Sequence, residues 1–502
     1  MQTRFYPSAK LVLGVCIVLA LGWSLVAFAE LEYQDLPEFG DSAGAIISPE
    51  QEKQLGEGFM RQMRRYAPVI TDEEVEDYIQ NLGMSLGELS GYYGEFIFFM
   101  LDVGGINAFA VPGGFIGMNA GLLLESKSES EVASVLAHEI VHITQRHTAR
   151  MIEAQKRTSI PAMAALLGAI ALTAINPEAG FGALTAVQAL NAQRQINFTR
   201  ANEREADRIG IQLLHDGGYD TYAMAQFFKR LQNASRYTDP AFIPEILRTH
   251  PVTVNRISEA KDRAERLGEP VIREDSFEYH LIRTKLDVHG ANDAVTIKRF
   301  YELALREGTG HESVARYGYV LGLTAAGDFS KARIEVAKLL LESPNILAFR
   351  IAAGQLEMRS GDVSAALAHY EIAYSAAPDS RAAAYGYANM LTLAGKPDVA
   401  KRQLRDYGFA DRRDPRFFKL LAEAENDLGE TVNSHFSLGE YYRSGGELRL
   451  ALQQLRLAQR TPEITNYQRL RVDARMDEIN EELDQLEKGT SGRDRERKER
   501  RR

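Results

Sequence analysis

Beyond an N-terminal leader the sequence has no cysteine: the one thiol among 502 residues is Cys16, inside the apolar run of residues 11–26. Once that leader is removed the chain cannot form a disulfide in any compartment, so its stability must come from packing or from a bound metal. Val15, directly before Cys16, is not the small residue that a lipid-attachment signal wants. Excess positive charge is also missing. Lys and Arg number 59 against 69 Asp and Glu, a formal net charge of −10, which argues against a general affinity for nucleic acid or anionic lipid. Past the leader, no apolar run reaches the roughly 20 residues that a membrane-crossing helix needs; residues 159–176, "SIPAMAALLGAIALTAIN", carry no charge but stop short of it.

The leader itself has the order of a secretory signal: Arg4 and Lys10, the apolar run, then Ala27-Phe28-Ala29 before Glu30. Residues 1–29 are expected to be cleaved after Ala29 and the chain exported. The remainder, 45% hydrophobic overall, is long enough for two or three domains, since single cores stop growing near about 250 residues. Residues 30–45 read as an extended arm. Ser48-Pro49-Glu50-Gln51 then opens a helix with proline in its first turn. Residues 95–102, "EFIFFMLD", and 106–121, "INAFAVPGGFIGMNAG", read as short strands broken by Gly-Gly and Pro-Gly-Gly turns. From Leu122 the periodicity is helical almost throughout.

The C-terminal third repeats. Gly327, Gly361 and Gly395 are 34 residues apart, and alanine follows each five positions on, at Ala332, Ala366 and Ala400. Gly446 and Ala451 repeat the local pattern out of phase. A 34-residue period with small residues where two helices approach is that of the tetratricopeptide repeat (TPR). The array is expected over 311–485, after a helical connector at 271–310. The tail, residues 486–502, is expected to be a disordered basic end.

The chemistry centres on residues 134–147, "SVLAHEIVHITQRH". Four residues apart on a helix, His138 and His142 share a face, and Glu139 projects beside them. A metzincin continuation needs glycine at 145 and histidine at 148; Gln145 and Thr148 exclude it. His147 misses that position by one and reads as a surface or supporting histidine. Downstream, residues 199–210, "TRANEREADRIG", set Glu203 and Asp207 one helical turn apart, with Glu205 rotated away. Glu203 can complete a His₂Glu metal site with an open fourth position, and Asp207 can accept the second-nitrogen proton of a ligating histidine.

These motifs, with "NAFAVPGGFIGMNAGLL" upstream and "RTHPVTVNRI" at residues 248–257, resemble the zinc metallopeptidases that include HtpX and the CAAX prenyl proteases. With the signal and the repeats, the chain is similar to the family's periplasmic, TPR-bearing members. The resemblance implies a mainly α protein: an α+β, zincin-like metallopeptidase domain with a small sheet over 30–270, then an all-α TPR solenoid. It implies one zinc ion held by His138, His142 and Glu203, with Glu139 as general base for peptide hydrolysis. It maps an edge strand that accepts extended substrate onto residues 107–119, where Asn107 is either a donor to substrate and oxyanion or a turn-stabilising asparagine. His250, before Pro251, is expected on an extended loop beside the zinc. There it would fill the fourth position at rest, donate in the transition state, or only pack. Implied substrates are misfolded or stalled outer-membrane proteins, with the repeats docking clients or the assembly machinery. A chaperone or scaffold in which cleavage is secondary is the other reading. Residues 159–191 are expected as a helical hairpin by the cleft, with peripheral membrane contact left open.

Overall fold

The computed structural model describes residues 47–154, 192–237, 246–269, 273–308, 311–407 and 414–499. The signal segment, the arm at 30–45 and the hairpin expected at 159–191 lie outside them.

The opening helix, α1 (Pro49–Tyr66), starts as its sequence dictates: the Ser48 hydroxyl accepts from Gln51 N–H at 3.2 Å and the Gln51 side chain accepts from Ser48 N–H at 2.9 Å. Two orphan donors are satisfied at once. After α2 (Glu73–Gly87) come three strands, β1 (Ile97–Leu101), β2 (Ala108–Val111) and β3 (Phe115–Asn119). They form one sheet in the order β1-β3-β2, with β1 parallel and β2 antiparallel to β3. β2 is therefore an edge strand. Alternation along the strands splits the apolar side chains into two layers. Phe99, Phe109 and Phe115 pack with Phe59, Met60 and Met63 of α1. Phe98, Ile116 and Met118 face the larger core, which includes Ile79 and Leu82 of α2 and Leu136 and Ile140 of the histidine-bearing helix. The β2–β3 turn needs its Pro-Gly-Gly. Gly114 has φ 89°, and a Cβ there would stand 1.9 Å from the Glu95 carbonyl oxygen.

Helices α3 (Ala120–Glu125), α4 (Glu129–Thr144), α5 (His147–Ala154), α6 (Ala192–Asp216), α7 (Ala223–Tyr237), α8 (Ile246–Thr249) and α9 (Val254–Leu267) complete this half. α10 (Phe277–His289) belongs to two cores. Tyr279, Ile282 and Leu286 pack into the peptidase core, whereas Leu281 packs with Tyr317, Val320 and Phe349 of the repeats.

The helices from α11 (Ala294–Glu307) onward form hairpins: α12 (Glu312–Ala325) with α13 (Phe329–Glu342), α14 (Leu347–Ser360) with α15 (Val363–Ala376), α16 (Arg381–Leu393) with α17 (Pro397–Tyr407), and α18 (Pro415–Asp427) with α19 (Thr431–Ser444). Gly327, Gly361 and Gly395 occupy the hairpin turns in the left-handed region, and Ala332, Ala366 and Ala400 are fully buried where helices meet. The period continues one step further than its alanine signature. Gly429 occupies the next turn with φ 77°, and Ser434 replaces the alanine, donating its hydroxyl proton to the Ala422 carbonyl at 2.9 Å. Gly446, with φ 83°, falls half a period later, in the turn before α20 (Leu448–Arg460). The last helix, α21, runs Asn466–Glu499, so the backbone of the tail expected to be disordered from 486 is helical to 499. Its Arg, Lys and Glu content favours that conformation.

Repeats and peptidase half meet at the acidic first turns of α2. Arg416 binds Glu73 at 3.2 Å and also Glu76; Arg381 reaches Glu76 at 2.8 Å, and its backbone N–H donates to Asp77 at 3.0 Å. Lys285 of α10 pairs with Asp72 at 2.7 Å and with Glu74.

Candidate metal centre

α4 is capped by Ser128, whose hydroxyl accepts from Glu131 N–H, and is buried along nearly its whole length. Apolar neighbours therefore fix the rotation of the helix that carries the two histidines. α6 packs across it, with Gly210 against the backbone of Ala137 and His138. That close approach brings Glu203 to the histidines. His138 Nε2 lies 3.0 Å from His142 Nε2 and 3.4 Å from Glu203 Oε2, and His142 Nε2 lies 3.6 Å from Glu203 Oε1. His250 joins the same cluster. Its Nδ1 is 3.0 Å from Glu203 Oε1 and 3.3 Å from His138 Nε2. One ligand atom from each of His138, His142, Glu203 and His250 falls within 4.8 Å of the others.

The placement of His250 differs from the extended loop expected. Its N–H donates to the Ile246 carbonyl at 2.7 Å, so it closes the short helix α8, and Pro251 ends that helix rather than extending the residue before it.

Two groups support the ligands from behind. Asp207, one turn along α6 from Glu203, has Oδ1 3.0 Å from His138 Nδ1. Arg256 of α9 then holds Asp207 through Nε at 2.7 Å and Nη2 at 2.8 Å, while Nη1 reaches Glu203 Oε2 at 2.9 Å and the Pro251 carbonyl at 3.0 Å. The guanidinium packs over the Phe228 ring. Arg256 stands in the "RTHPVTVNRI" stretch, yet sequence reasoning gave it no part. The only available signal was a cation at the start of a helix, where a dipole argument places acids.

The electrostatics follow from this crowding. Burial pulls His138 toward neutrality, but Asp207 and Glu203 outweigh it and push the imidazole up to about 10. For Glu203 burial opposes ionisation, yet His250 and His138 hold it well below the ordinary carboxylate range. His142 is driven well below the usual imidazole value, by burial first and by the charge on His138 second. A cation shared by these groups removes the conflict, because it binds the neutral imidazoles and the ionised carboxylate together. Imidazole nitrogens with one carboxylate oxygen are a donor set that suits a borderline ion such as zinc. Glu139 points the same way. Its carboxylate is 1% exposed and neither oxygen has a hydrogen-bond partner; the closest titratable atom recorded is His250 Nε2, 3.5 Å from Oε1. A buried acid so placed is costly unless a reacting group meets it.

Asn107 is not in the ligand cluster. It stands just before edge strand β2, 1% exposed, its carbonyl accepting from Asn119 N–H at 2.9 Å and its side-chain oxygen unpartnered. α4 packs against β2, so the strand edge runs beside the helix that carries Glu139.

Residues 72–264 match peptidase family M48, and residues 357–424 match a tetratricopeptide repeat. The chain is 34% identical to the putative beta-barrel assembly-enhancing protease of Vibrio cholerae, over 95% of this chain and 98% of that one. It is 32% identical to the beta-barrel assembly-enhancing protease of Escherichia coli K12, over 94% and 96%. The bovine mitochondrial metalloendopeptidase OMA1 is 31% identical over 32% of this chain and 31% of its own length.

Proposed function

Because this chain belongs to peptidase family M48 and is a metalloendopeptidase, we propose that its metal is zinc, one ion per chain, and that it cleaves outer-membrane β-barrel proteins whose assembly has stalled. The observation that carries this reading is the convergence of His138, His142 and Glu203 beside an unpartnered, buried Glu139. The compartment is the periplasm, reached through the signal at 1–29, and the repeats dock clients or the assembly machinery.

In this reading His138, His142 and Glu203 bind the ion, and Asp207 with Arg256 keeps His138 and Glu203 in place. When bound, zinc supplies Lewis acidity that lowers the pKa of water toward about 7 and polarises the scissile carbonyl. Glu139 accepts the proton of the attacking water and delivers it to the departing amine. Substrate enters as an added strand on β2, so backbone hydrogen bonds rather than a sequence motif select extended chain. Asn107 donates to the substrate backbone at that edge. The expected test result is cleavage of an urea-unfolded outer-membrane barrel, no cleavage of the same barrel folded in detergent, and loss of activity on chelation that zinc restores. Equal cleavage of both forms would count against recognition of extended chain, and activity that survives complete metal removal would count against the mechanism.

His250 is the gate of this site at rest. Support comes from its Nδ1, 3.3 Å from His138 Nε2 and 3.0 Å from Glu203 Oε1, where it competes with water for the fourth position. His250→Ala should raise basal proteolysis and change the visible spectrum of the cobalt-substituted protein. A fall in turnover would make it a transition-state donor instead, and no change in either would leave it a packing residue.

A second reading, a client-holding scaffold in which cleavage is secondary, draws on the cleft of about 840 Å³ between the two halves of the molecule. Met60, Phe96, Phe98, Tyr407, Tyr441 and Tyr442 help line it. It is favoured if a proteolytically dead enzyme still promotes barrel assembly.

A further inference from the structure

His138 and His142 are supported differently. His138 Nδ1 meets a carboxylate directly, at Asp207. His142 has no carboxylate at its Nδ1; another imidazole stands there, His147, with its own Nδ1 2.9 Å away. The far nitrogen of His147, Nε2, lies 3.2 Å from Glu205 Oε2, and Arg150 Nη1 holds that same oxygen at 3.1 Å. His147 is 3% exposed, so both its nitrogens depend on these neighbours.

This contact could not be read from the spacing. On an unbroken helix His147 would stand five residues, roughly 140° around the axis, from His142. Instead α4 stops at Thr144 and Arg146 takes φ 49°, the one left-handed non-glycine residue among those described. Glu52 of α1 grips the Arg146 guanidinium at 3.1 Å. The reversal starts α5 at His147 and turns its ring back onto His142. A non-glycine residue in that region costs about 1 kcal/mol or more and persists where the surroundings impose it.

Proton arithmetic then fixes both tautomers. His142 Nε2 faces His138 and Glu203, so a metal there takes its lone pair and leaves the proton on Nδ1. That N–H can donate only to a lone pair, so His147 Nδ1 must be the acceptor. The His147 proton therefore sits on Nε2 and is donated to Glu205. Each group has one role available, and each matches the atom that faces it.

We propose that His147 and Glu205 form a hydrogen-bond relay that positions His142 for metal binding, with His147 as the positioning residue and Arg150 anchoring its outer end. The relay gives His142 what Asp207 gives His138: a fixed ring orientation, a fixed tautomer and a more basic ligating nitrogen. Loss of such a partner typically weakens metal affinity about 10–100-fold.

The proposal rests on the metal-site reading, and the zinc content of the unaltered full-length protein tests that reading separately; a wild-type protein that binds no zinc refutes the site, not the relay alone. With zinc present, affinity is measured by chelator competition on full-length variants. His147→Leu keeps the volume but accepts no proton and should weaken zinc binding about 10–100-fold, with an altered visible spectrum after cobalt substitution. His147→Asn places an amide oxygen where Nδ1 stood and should recover most of the affinity and the wild-type spectrum. Glu205→Gln, on a partly exposed side chain, should weaken binding less, and its effect should shrink when combined with His147→Leu. Should His147→Leu fail to fold, Glu205→Gln and His147→Asn carry the test. Wild-type affinity and spectrum in His147→Leu overturn the relay. So does His147→Asn as damaging as leucine, which marks a packing role, and so do effects of the two sites that add independently.

Discussion

Glu139→Gln is expected to leave about one zinc per chain and to lower peptide hydrolysis by about 10²–10⁴-fold, the range removed with a general base. Glutamine keeps the size and shape of the side chain, and the ligand atoms belong to His138, His142, Glu203 and His250 rather than to Glu139. The amide cannot accept and return a proton at neutral pH. Both oxygens of Glu139 are buried and unpartnered, so the change breaks no hydrogen bond of the fold, and stability should hold or rise slightly. Metal analysis and casein cleavage read the two halves of the expectation. Cleavage at the parental rate sinks the mechanism. Loss of zinc with activity would make Glu139 a structural group of the site instead.

The largest effect on stability is expected from Glu76→Arg. Glu76 receives both Arg381, at 2.8 Å, and Arg416, and its side chain is 15% exposed. Burial raises its pKa and the two arginines oppose that rise, Arg416 more than Arg381. A third guanidinium among them leaves like charges in a desolvated junction; breaking a pair of this kind costs about 3–5 kcal/mol. The loss falls on the contact of α2 with α16 and α18, so hydrogen exchange should accelerate in those helices before it does in α4. Small-angle scattering should show a wider particle. Arg416→Glu in the same chain should restore part of the loss by inverting one pair. An unchanged melting profile and exchange pattern would show that the network contributes little to holding the two halves together.

Much of the architecture was legible because it is local. The Ser48 cap, the Pro-Gly-Gly turn and the 34-residue glycine period each act within one or two turns of chain, and each stands where the residues indicated. Ser434 hid the fourth hairpin because the signature sought was alanine, while the structure needs only a small side chain there. The expected tail went the other way: its charge suggested disorder, but residues of high helix propensity continuing an established helix need no new nucleus.

The sequence by itself determined the ligand types, their spacing on two helices, the acid beside them, and the repeat. These are properties of single helices, where an interval of four residues fixes a shared face. Only the tertiary structure decided which elements meet. Gly210 lets α6 lie against α4, Arg256 joins Asp207 and Glu203 to the carbonyl after His250, and the left-handed turn at Arg146 carries His147 back to His142. None of these follows from periodicity. They depend on one chain segment approaching another across tens of residues, at distances set by what packs between them.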